Sequence, residues 1–319
     1  MIELPQISDV ISAAERIAPY VKKTPVLTCS SLNEMVEAEL FFKCENFQKV
    51  GAFKFRGATN AVFSLPEADA GKGVATHSSG NHAAALALAA RERGIKAYVV
   101  MPDNSPKVKK AAVAGYGAEI IYCKPTLEAR ESTLEKVVEK TGATFIHPYH
   151  NFNVIAGAGT AGKELVEEVD ELDFVIAPIG GGGLISGTSI SVTELALKAK
   201  VIGAEPEGAD DAFRSLKEER IIPSENPDTV CDGLLTSLSE RTFNIIKQRV
   251  DRIITVSDEA TIAAMRHIWE RMKIIVEPSA AITFGILLEK KVDLSGKRIG
   301  IIFSGGNVDL EKLPWNPGK

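Results

Sequence analysis

The sequence lacks the cysteine patterns that mark zinc-binding and disulfide-rich proteins. Its cysteines are scattered, with no Cys-x-x-Cys pair and no histidine at ligand spacing: Cys29, Cys44, Cys123 and Cys231. A structural zinc site or a disulfide framework is therefore not expected, and a reducing cytoplasm fits the pattern. The N-terminal segment also lacks the basic start and the apolar core of a secretory signal.

Long apolar runs and an excess of basic residues are lacking as well. No run approaches the roughly 18 apolar residues that a membrane-spanning helix needs. The 319 residues include 37 Lys and Arg against 42 Asp and Glu, a net charge of −5, so a basic surface for nucleic acid is not expected. With 45% hydrophobic and 25% charged residues, the chain has the composition of a globular protein long enough for two lobes. Neither a membrane nor nucleic acid is an expected partner.

Short apolar segments do alternate regularly with segments of helical pattern. Strands are predicted within AELFFKCE (38–45), GVATHS (73–78), AYVVMP (97–102), AEIIYC (118–123), FVIAPI (174–179), KVIGAEP (200–206) and RIGIIFS (298–304). Helices are predicted over 53–65, 81–93 and 126–141, from near Pro106, and after the glycines at 180–183. This alternation predicts an α/β fold built on parallel sheets.

The order of the strand–helix repeats along the chain indicates how it divides into domains. No linker rich in proline, glycine or serine divides the chain, so a second domain is expected to be inserted rather than appended. Residues 70–149 carry their own strand–helix repeats, and HPYHNFN (147–153) indicates a return crossing. We therefore expect a small domain over 70–149, a large domain formed by 1–69 and 150–319, and a cleft between them.

Glycines follow one of the predicted strands in an uninterrupted run. Gly180, Gly181, Gly182 and Gly183 stand between a buried strand and a helix, where backbone N–H groups and the helix start favour a phosphate. The run is neither a P-loop nor a dinucleotide-binding fingerprint. The alternative is a flexible glycine turn.

Two other strand ends carry polar residues. Ser78, Ser79 and Asn81 lie where a strand gives way to a helix, although a simple N-cap explains them equally well. Ser304 ends a third apolar strand, shortly before Asn307. Because ligands of open α/β sheets bind beyond the carboxyl ends of strands, the three ends together predict a phosphorylated ligand.

A lysine flanked by aromatic residues supplies a candidate nucleophile. Lys54 lies between Phe53 and Phe55, which would desolvate its amine, lower its pKa and leave it free to react with an aldehyde. Pyridoxal phosphate is the phosphorylated aldehyde cofactor that uses a lysine. Spacing alone favours the alternative, in which the lysine extends its amine to water.

An acidic turn follows the strand at 200–206. Glu205, Glu207, Asp210 and Asp211 offer hard oxygen ligands for Mg²⁺ or Ca²⁺. Spacing alone favours the alternative of a solvated acidic helix start.

Seven motifs together resemble one family. They are ENFQKVGAFKFRGA, HSSGNHAAALA, AGAGT, GGGGLISG, AEPEGADD, ERMKIIVEPSAA and SGGNVDL. From about residue 5 to 313 the chain resembles the fold-type II pyridoxal-phosphate enzymes, and within them the eukaryotic-type serine racemase and serine/threonine dehydratase branch. The resemblance implies a tryptophan synthase β-like fold, with the cofactor between two parallel-sheet α/β domains, the smaller of them mobile, and a homodimer.

At matching positions, the resemblance assigns the cofactor contacts. Lys54 is implied to be the Schiff-base lysine, and Phe53 to pack beside the cofactor ring. Asn81 is implied to hydrogen-bond the 3′-oxygen of the cofactor. The implied contacts to the phosphate, the pyridine nitrogen and the rest of the cofactor are Gly180, Gly181, Gly182, Gly183, Leu184, Gly233 and Ser304. A neutral serine at the nitrogen favours elimination over transamination.

The resemblance also assigns the substrate contacts. Ser79 matches the serine that in racemases faces the substrate Cα from the side opposite the lysine, so racemisation is possible and dehydration is not excluded. The substrate carboxylate is assigned to Ser78, Ser79, Asn81 and His82, and the substrate side chain to Asn153. Arg130 or His150 are the candidates for reaching a β-carboxylate.

The resemblance implies a metal site but argues against a nucleotide site of the mammalian kind. Glu205, Asp211 and the Ala209 carbonyl match the divalent-metal site of the racemases, which implies Mg²⁺, with Ca²⁺ or Mn²⁺ as alternatives. Ala84 stands where the mammalian racemases have glutamine, which argues against ATP as an effector. Candidate nucleotide contacts nevertheless persist at Ser30, Ser31 and Lys49. A further departure is Ala158, which replaces the glutamine of the family's GQGT.

The expected function is the pyridoxal-phosphate-dependent interconversion of L- and D-serine, with β-elimination of serine to pyruvate and ammonia. The enzyme alternatives are a threonine/serine dehydratase and a 3-hydroxyaspartate ammonia-lyase. A non-catalytic sensor of amino acids is the alternative from another class, and the intact Lys54 counts against it.

Overall fold

The computed structural model describes residues 2–105 and 107–315, in which ten strands form two sheets. The strands are β1 (Val26–Leu27), β2 (Glu39–Cys44), β3 (Val74–His77), β4 (Ala97–Pro102), β5 (Glu119–Cys123), β6 (Thr144–Phe145), β7 (Phe174–Pro178), β8 (Lys200–Pro206), β9 (Arg252–Val256) and β10 (Arg298–Phe303). The helices between them are α1 (Ile7–Ile17), α2 (Ser30–Val36), α3 (Lys54–Phe63), α4 (Glu67–Ala70), α5 (Asn81–Arg93), α6 (Lys107–Gly115), α7 (Leu127–Thr141), α8 (Phe152–Glu168), α9 (Gly183–Leu195), α10 (Asp211–Lys217), α11 (Glu240–Arg249), α12 (Asp258–Met272) and α13 (Pro278–Glu289).

The two sheets differ in size and in the part of the chain that builds them. The larger has the order β1-β2-β10-β7-β8-β9, with only β1 antiparallel to its neighbour. The smaller has the order β5-β4-β3-β6 and is parallel throughout. Its strands all lie between Val74 and Phe145, inside the range predicted for the small domain. The predicted α/β class with parallel sheets is confirmed.

The predicted strands are present, and three others were not predicted. β1 and β6 have two residues each, too few to display an alternation of apolar and polar positions. β9 is a run of five residues between helices, a length at which an apolar segment does not distinguish strand from helix. The helix predicted from near Pro106 begins at Lys107, and Pro106 itself lies outside the described residues.

The middle strands of the larger sheet are apolar on both faces because helices cover both faces. In β7, β8 and β10 all positions but the first are buried. Phe42 of β2 stacks on Phe303 of β10, with 4.8 Å between the ring centroids.

The four cysteines are unbridged. No helix in the described ranges combines the length and apolar character needed to cross a membrane.

Helices α8 and α9 cross at glycines. A Cβ atom added at Gly159 would lie 2.8 Å from the carbonyl oxygen of Gly187, so the two backbones touch. On the other side of α8, a Cβ atom at Gly57 of α3 would lie 2.6 Å from the carbonyl oxygen of Val154. Helix α8 is therefore packed directly, backbone to backbone, between α3 and α9.

A buried cluster of charges joins α3 and α8 to the larger sheet. The Arg56 guanidinium donates to the Glu45 carboxylate at 2.7 and 2.8 Å, and to the Glu164 carboxylate at 2.7 and 2.8 Å. The Lys43 amine donates to Glu164 at 2.6 Å and to the Thr24 carbonyl at 2.7 Å. The two cations and two carboxylates neutralise one another, which is the condition for burying them.

Candidate active site

The residues predicted from the sequence converge on one cleft between the sheets. A cavity of about 400 Å³ is lined by the segments that follow β3, β7 and β10 and by the start of α3. It lies at the carboxyl ends of parallel strands, where ligands of such sheets bind. The predicted residues that line it are Phe53, Lys54, Ser78, Ser79, Asn81, His82, Gly180, Gly181, Gly182, Gly183, Leu184, Gly233 and Ser304.

The amine of Lys54 is held inside this cleft. Its Nζ donates to the carbonyl of Pro148 at 3.1 Å and lies 5.0 Å from the centroid of the Phe53 ring. Burial lowers the pKa of Lys54 to about 8, and the negative charge of Glu277 partly opposes that effect. A sizeable share of the amine is therefore unprotonated slightly above neutral pH. The alternative of an amine extended into bulk water does not describe this residue.

Only one of the two flanking phenylalanines faces the amine. Phe55 was expected to form a second wall beside Lys54, but its side chain is buried in the core with Val62 and Leu86. The amine over its ring is that of Lys49, 5.3 Å from the centroid. Because α3 has begun at Lys54, the next side chain turns about 100° around the helix axis and points elsewhere.

The glycine run has the features of a phosphate site. In the described part of the chain, the N–H groups of Gly181, Gly182, Gly183 and Leu184 donate to no protein acceptor. They stand at the start of α9, a helix of 13 residues. Free N–H groups at the positive end of a helix suit an anion such as phosphate. The run is also tightly packed, which argues against the alternative of a flexible turn.

Tyr149 is the reason that glycine is needed on one side of the run. A Cβ atom at Gly181 would overlap the Tyr149 ring, and one at Gly183 would lie 2.9 Å from the Tyr149 Cβ. Burial raises the pKa of the Tyr149 phenol, and a hydrogen bond with Thr236 opposes the shift. Tyr149 thus fastens the crossing segment after β6 to the glycine run. The sequence analysis missed it, although its motif HPYHNFN was singled out as a crossing.

Ser304 and Gly233 both line the cleft, and both are hydrogen-bonded to Ser279. Ser304 is buried at the end of β10, and its Oγ donates to the Ser279 carbonyl at 3.4 Å. The Gly233 N–H donates to the Ser279 Oγ at 3.0 Å. A Cβ atom on Gly233 would stand 3.0 Å from that hydroxyl, so a larger residue would require the Ser279 side chain to shift.

The serine turn after β3 is not used to cap the following helix. Gly80 is the N-cap of α5, and no side chain caps it. The Ser78 Oγ accepts from the Gly80 N–H at 3.4 Å, a weak contact, and Ser79 lines the cleft. The alternative explanation, that these hydroxyls serve as an N-cap, is therefore wrong. They are available to a ligand at the N-terminus of a helix of 13 residues.

Two of the three histidines that line the cleft, His82 and His147, are neutral. Burial, with a smaller contribution from the Lys54 charge, lowers the pKa of His82 to about 3. Burial and the neighbouring imidazoles of His77 and His150 lower that of His147 to about 3. The His82 Nε2 meets the Ile146 carbonyl at 3.2 Å and must donate to it. His82 therefore lines the cleft as a neutral imidazole, and its assignment to the substrate carboxylate stays a prediction.

Asn153 is placed outside the cleft, against the sequence prediction. It lies in the first turn of α8, and its carbonyl accepts from the Asn60 Nδ2 at 2.8 Å. His150 does not line the cleft either; its carbonyl accepts from the Arg241 guanidinium. Arg130 does line the cleft. Its Nε is buried and donates no hydrogen bond within the described residues.

The acidic turn divides into buried and exposed members. Glu205 and Asp211 are each 1% exposed, whereas Glu207 and Asp210 pair at the surface with Lys291 and Arg214. The Glu205 oxygens accept from the N–H groups of Ala212 and Phe213, both at 2.7 Å, and the Asp211 Oδ2 has no partner among the described residues. The alternative of a solvated helix start therefore fits only the exposed pair.

The electrostatics of the buried pair fit a cation. Burial, together with the charge of Asp211, raises the pKa of Glu205 to about 9, and burial raises that of Asp211 to about 6. In residues 2–105 and 107–315 no group of three or more His, Cys, Asp or Glu side chains is placed to hold a metal ion. A cation here would need the Ala209 carbonyl and water to complete its oxygen ligands.

Glu277 is the second residue of the cleft wall that the sequence analysis missed. It is 5% exposed, and burial and the charge of Asp232 raise its pKa to about 7. It precedes Pro278 at the start of α13. The Glu-Pro pair was visible in the sequence, inside the motif ERMKIIVEPSAA, but nothing local indicated that it reaches the cleft.

Comparison with known proteins agrees with this geometry. A family model described as "Pyridoxal-phosphate dependent enzyme" matches residues 17–305. A β-hydroxyaspartate dehydratase of Paracoccus denitrificans is 53% identical, over 98% of this chain and 99% of its own, and a serine racemase of Dictyostelium discoideum is 50% identical, over 96% of each. The structure of maize serine racemase superimposes with a TM-score of 0.95 at 44% identity, covering 98% of this chain and 97% of its own.

The first prediction concerns the amine of Lys54. Reduction with borohydride in the presence of pyridoxal phosphate should leave the pyridoxyl group on Lys54. Uptake should accelerate as the pH rises through about 8, because only the unprotonated amine attacks the aldehyde. Peptide mapping by mass spectrometry and the visible absorbance band are the measurements. Lys43, buried but paired with Glu164 at 2.6 Å, is the matched control and should stay unmodified. Modification of another lysine in place of Lys54 would contradict the assignment.

Proposed function

The chain belongs to the family of pyridoxal-phosphate dependent enzymes, and from this premise we propose that it interconverts L- and D-serine and dehydrates serine to pyruvate and ammonia. The observation that carries the proposal is that Lys54 and Ser79 line the same cleft, from different segments of the chain. Racemisation needs two such groups, since a proton must leave one face of Cα and return to the other. The relatedness to a serine racemase at 50% identity supports the choice of substrate.

The residues of the cleft fit the cofactor. The N–H groups of Gly181, Gly182, Gly183 and Leu184 would hold its phosphate, and the Ser304 hydroxyl would meet the ring nitrogen. Phe53, Asn81 and Gly233 would contact the ring. When bound, pyridoxal phosphate takes up the electron pair left on the substrate Cα.

The chain's own groups would move the protons. Lys54, with a pKa of about 8, can accept the Cα proton on one face as a free amine and return it as an ammonium. Ser79 would exchange a proton on the other face. The substrate carboxylate would bind at the start of α5, where the Ser78 hydroxyl and unpaired helix N–H groups are grouped. Elimination needs only one of the two bases and an exit for the β-hydroxyl.

The second prediction separates the two reactions. Ser79→Ala should lower the rate of serine racemisation by about 10²–10⁴-fold, the usual contribution of a general acid–base group. Elimination from L-serine should lose much less, because the remaining base is Lys54. Racemisation is followed by chiral chromatography and elimination by pyruvate release. Ser78→Ala is the matched control, expected to reduce both rates in the same proportion. Equal losses in Ser79→Ala would contradict the two-face assignment.

The buried Nε of Arg130 favours a second substrate. It has no partner among the described residues, so a ligand carboxylate would supply one. Serine has no second carboxylate, but 3-hydroxyaspartate has. The Paracoccus denitrificans relative is a β-hydroxyaspartate dehydratase. We therefore propose 3-hydroxyaspartate as a second substrate, which undergoes the same elimination.

The third prediction tests this role of Arg130. Arg130→Met should lower kcat/KM for 3-hydroxyaspartate by about 10–100-fold, the effect of losing one charged hydrogen bond, and change that for L-serine far less. Initial rates with L-serine, D-serine, L-threonine and 3-hydroxyaspartate give the comparison. Lys109→Met is the matched control, because Lys109 is a cleft cation already paired with Asp232 at 2.9 Å. An equal loss for all substrates in Arg130→Met would assign Arg130 a structural role instead.

We also propose that Glu205, Asp211 and the Ala209 carbonyl hold a divalent cation, Mg²⁺ first and Ca²⁺ or Mn²⁺ as alternatives. Two buried carboxylates, one with an unpartnered oxygen, support it. Their raised pKa values mean that protons compete with the metal.

The fourth prediction concerns this metal. Added Mg²⁺ should raise the melting temperature of chelator-treated protein, and more so as the pH rises from about 6 toward 9, because binding requires both carboxylates ionised. Thermal denaturation at several pH values is the measurement. Asp211→Asn should abolish the shift. Glu207→Gln, at an exposed acid of the same turn, should keep it. A melting temperature unaffected by any of the three cations would contradict the site.

The remaining assignments are proposals that follow the resemblance. We propose that 70–149 is a small mobile domain and that the enzyme is a cytoplasmic homodimer. The Lys109–Asp232 ion pair at the cleft mouth is exposed and worth about 0–1 kcal/mol, which is compatible with opening. ATP is not proposed as an effector: Ala84 departs from the mammalian pattern, and Lys49 is paired with Glu92 at 2.6 Å.

A further inference from the structure

A chain of hydrogen bonds fixes the orientation of the Asn81 amide on the cleft wall. The Asn307 Nδ2 donates to the Val50 carbonyl at 2.8 Å and to the Asn81 Oδ1 at 2.9 Å. Because a backbone carbonyl can only accept, Asn307 must turn its nitrogen to Val50, and Asn81 must turn its oxygen to Asn307. The Asn81 Nδ2 is thereby directed to Glu277, whose two carboxylate oxygens lie 3.1 and 3.3 Å away.

Glu277 is the acceptor at which this network ends. Besides Asn81, its carboxylate receives the backbone N–H of Asn307 at 3.0 Å. An ionised carboxylate only accepts, so it can serve both donors at once, whereas an amide or a protonated acid turns a hydrogen toward one of them. The surroundings are close: a Cβ atom at Gly305 would lie 2.7 Å from the Glu277 Oε1. The carboxylate therefore has little room for another arrangement.

We propose that Glu277 is a positioning residue for the cofactor ring, which in its ionised form holds the Asn81 amide so that the second Nδ2 hydrogen is left for the ring oxygen of pyridoxal phosphate. The Nδ2 group has two hydrogens, and Glu277 takes one of them. A donor that is itself bonded to a negative charge is held firmly in place. The inference rests on the proposed function, in which Asn81 contacts that oxygen. Glu277 touches no reacting atom and acts through Asn81.

The charges that face Glu277 come from several segments. Lys54 lies at the start of α3, Lys109 in α6, and Cys231 and Asp232 in the loop that leads to α11. Burial and Asp232 raise the pKa of Glu277 to about 7, against the hydrogen bonds from Asn81 and Asn307 and the charge of Lys109. An acid is protonated below its pKa, so the network is complete above about pH 7 and loses its acceptor below it.

The fifth prediction is a pH-dependent change in cofactor affinity. Glu277→Gln should raise the dissociation constant of pyridoxal phosphate by about tenfold well above neutral pH, the effect of one charged hydrogen bond. Below about pH 7 the ratio of the variant's dissociation constant to that of the wild type should fall toward one, because the wild-type Glu277 is then protonated and uncharged, like the glutamine of the variant. The phosphate titrates alike in both proteins, whereas loss of the Glu277 charge lowers the pKa of Lys54 further, so the pKa of Lys54 is measured in each protein and its effect is removed from the ratio. Fluorescence titration of the apoenzyme gives the constants, and circular dichroism checks the fold.

A second variant tests the same idea without altering the network. Asp232→Asn removes the charge that raises the pKa of Glu277, so the pH at which cofactor affinity changes should move lower. It also serves if Glu277→Gln does not fold. The inference would be overturned if Glu277→Gln bound pyridoxal phosphate as tightly as the wild type, or lost affinity equally at every pH. It would also be overturned if the pH midpoint of the affinity change were the same in Asp232→Asn as in the wild type. Wild-type protein that takes up no pyridoxal phosphate would instead overturn the proposed function.

Discussion

The placement of the reactive lysine depends on the charged cluster buried directly beneath it. Arg56 follows Lys54 by two residues in α3, and its guanidinium is bonded to Glu45 after β2 and to Glu164 of α8. Removing one member would strand an unpaired charge in the interior, at a cost of about 3–5 kcal/mol. Loss of Arg56 itself would also remove the ionic contacts that join the first turn of α3 to Glu45 after β2 and to Glu164 of α8. None of the cluster's members lines the cleft, so the cluster acts on the site only by fixing the position of α3.

Helix α8 connects the helix that bears Lys54 to the helix that begins at the glycine run. On one side it meets α3 at Gly57, and on the other it crosses α9 with Gly159 against Gly187. Helix α9 begins at Gly183, the last of the four glycines that we propose hold a phosphate. Interiors packed backbone to backbone resist displacement, because no flexible side chain lies between the helices to absorb it. The distance between the Lys54 amine and the glycine run is thus set by three helices in direct contact, which suits a ligand with an aldehyde at one end and a phosphate at the other.

Sequence reasoning succeeded where a feature is local and failed where it depends on which distant segments meet. The α/β class and the glycine run follow from periodicity and from strand–turn–helix order, both contained in short windows. The direction of Phe55 depends on the residue at which α3 begins, and a shift of one position turns a side chain about 100°. Asn153 was expected to meet the substrate side chain, but it lies in the first turn of α8 and does not line the cleft. Tyr149 and Glu277 reach the cleft only because segments thirty or more residues away pack against them, and no local pattern encodes that approach.

The charges of the cleft change in one direction as the pH rises through neutrality. His82 and His147 are neutral over this range, since burial holds the pKa of each near 3. The groups that titrate are Glu277, at about 7, and Lys54, at about 8. The Glu277 carboxylate favours the ammonium form of Lys54 and so raises the pKa of the lysine, against the larger effect of burial. The proposed function needs the carboxylate ionised and the amine free, and both states are reached by losing protons. A rise in pH through neutrality therefore both completes the Asn81 network and releases the amine of Lys54, so the two requirements of the proposed function are met over the same pH range.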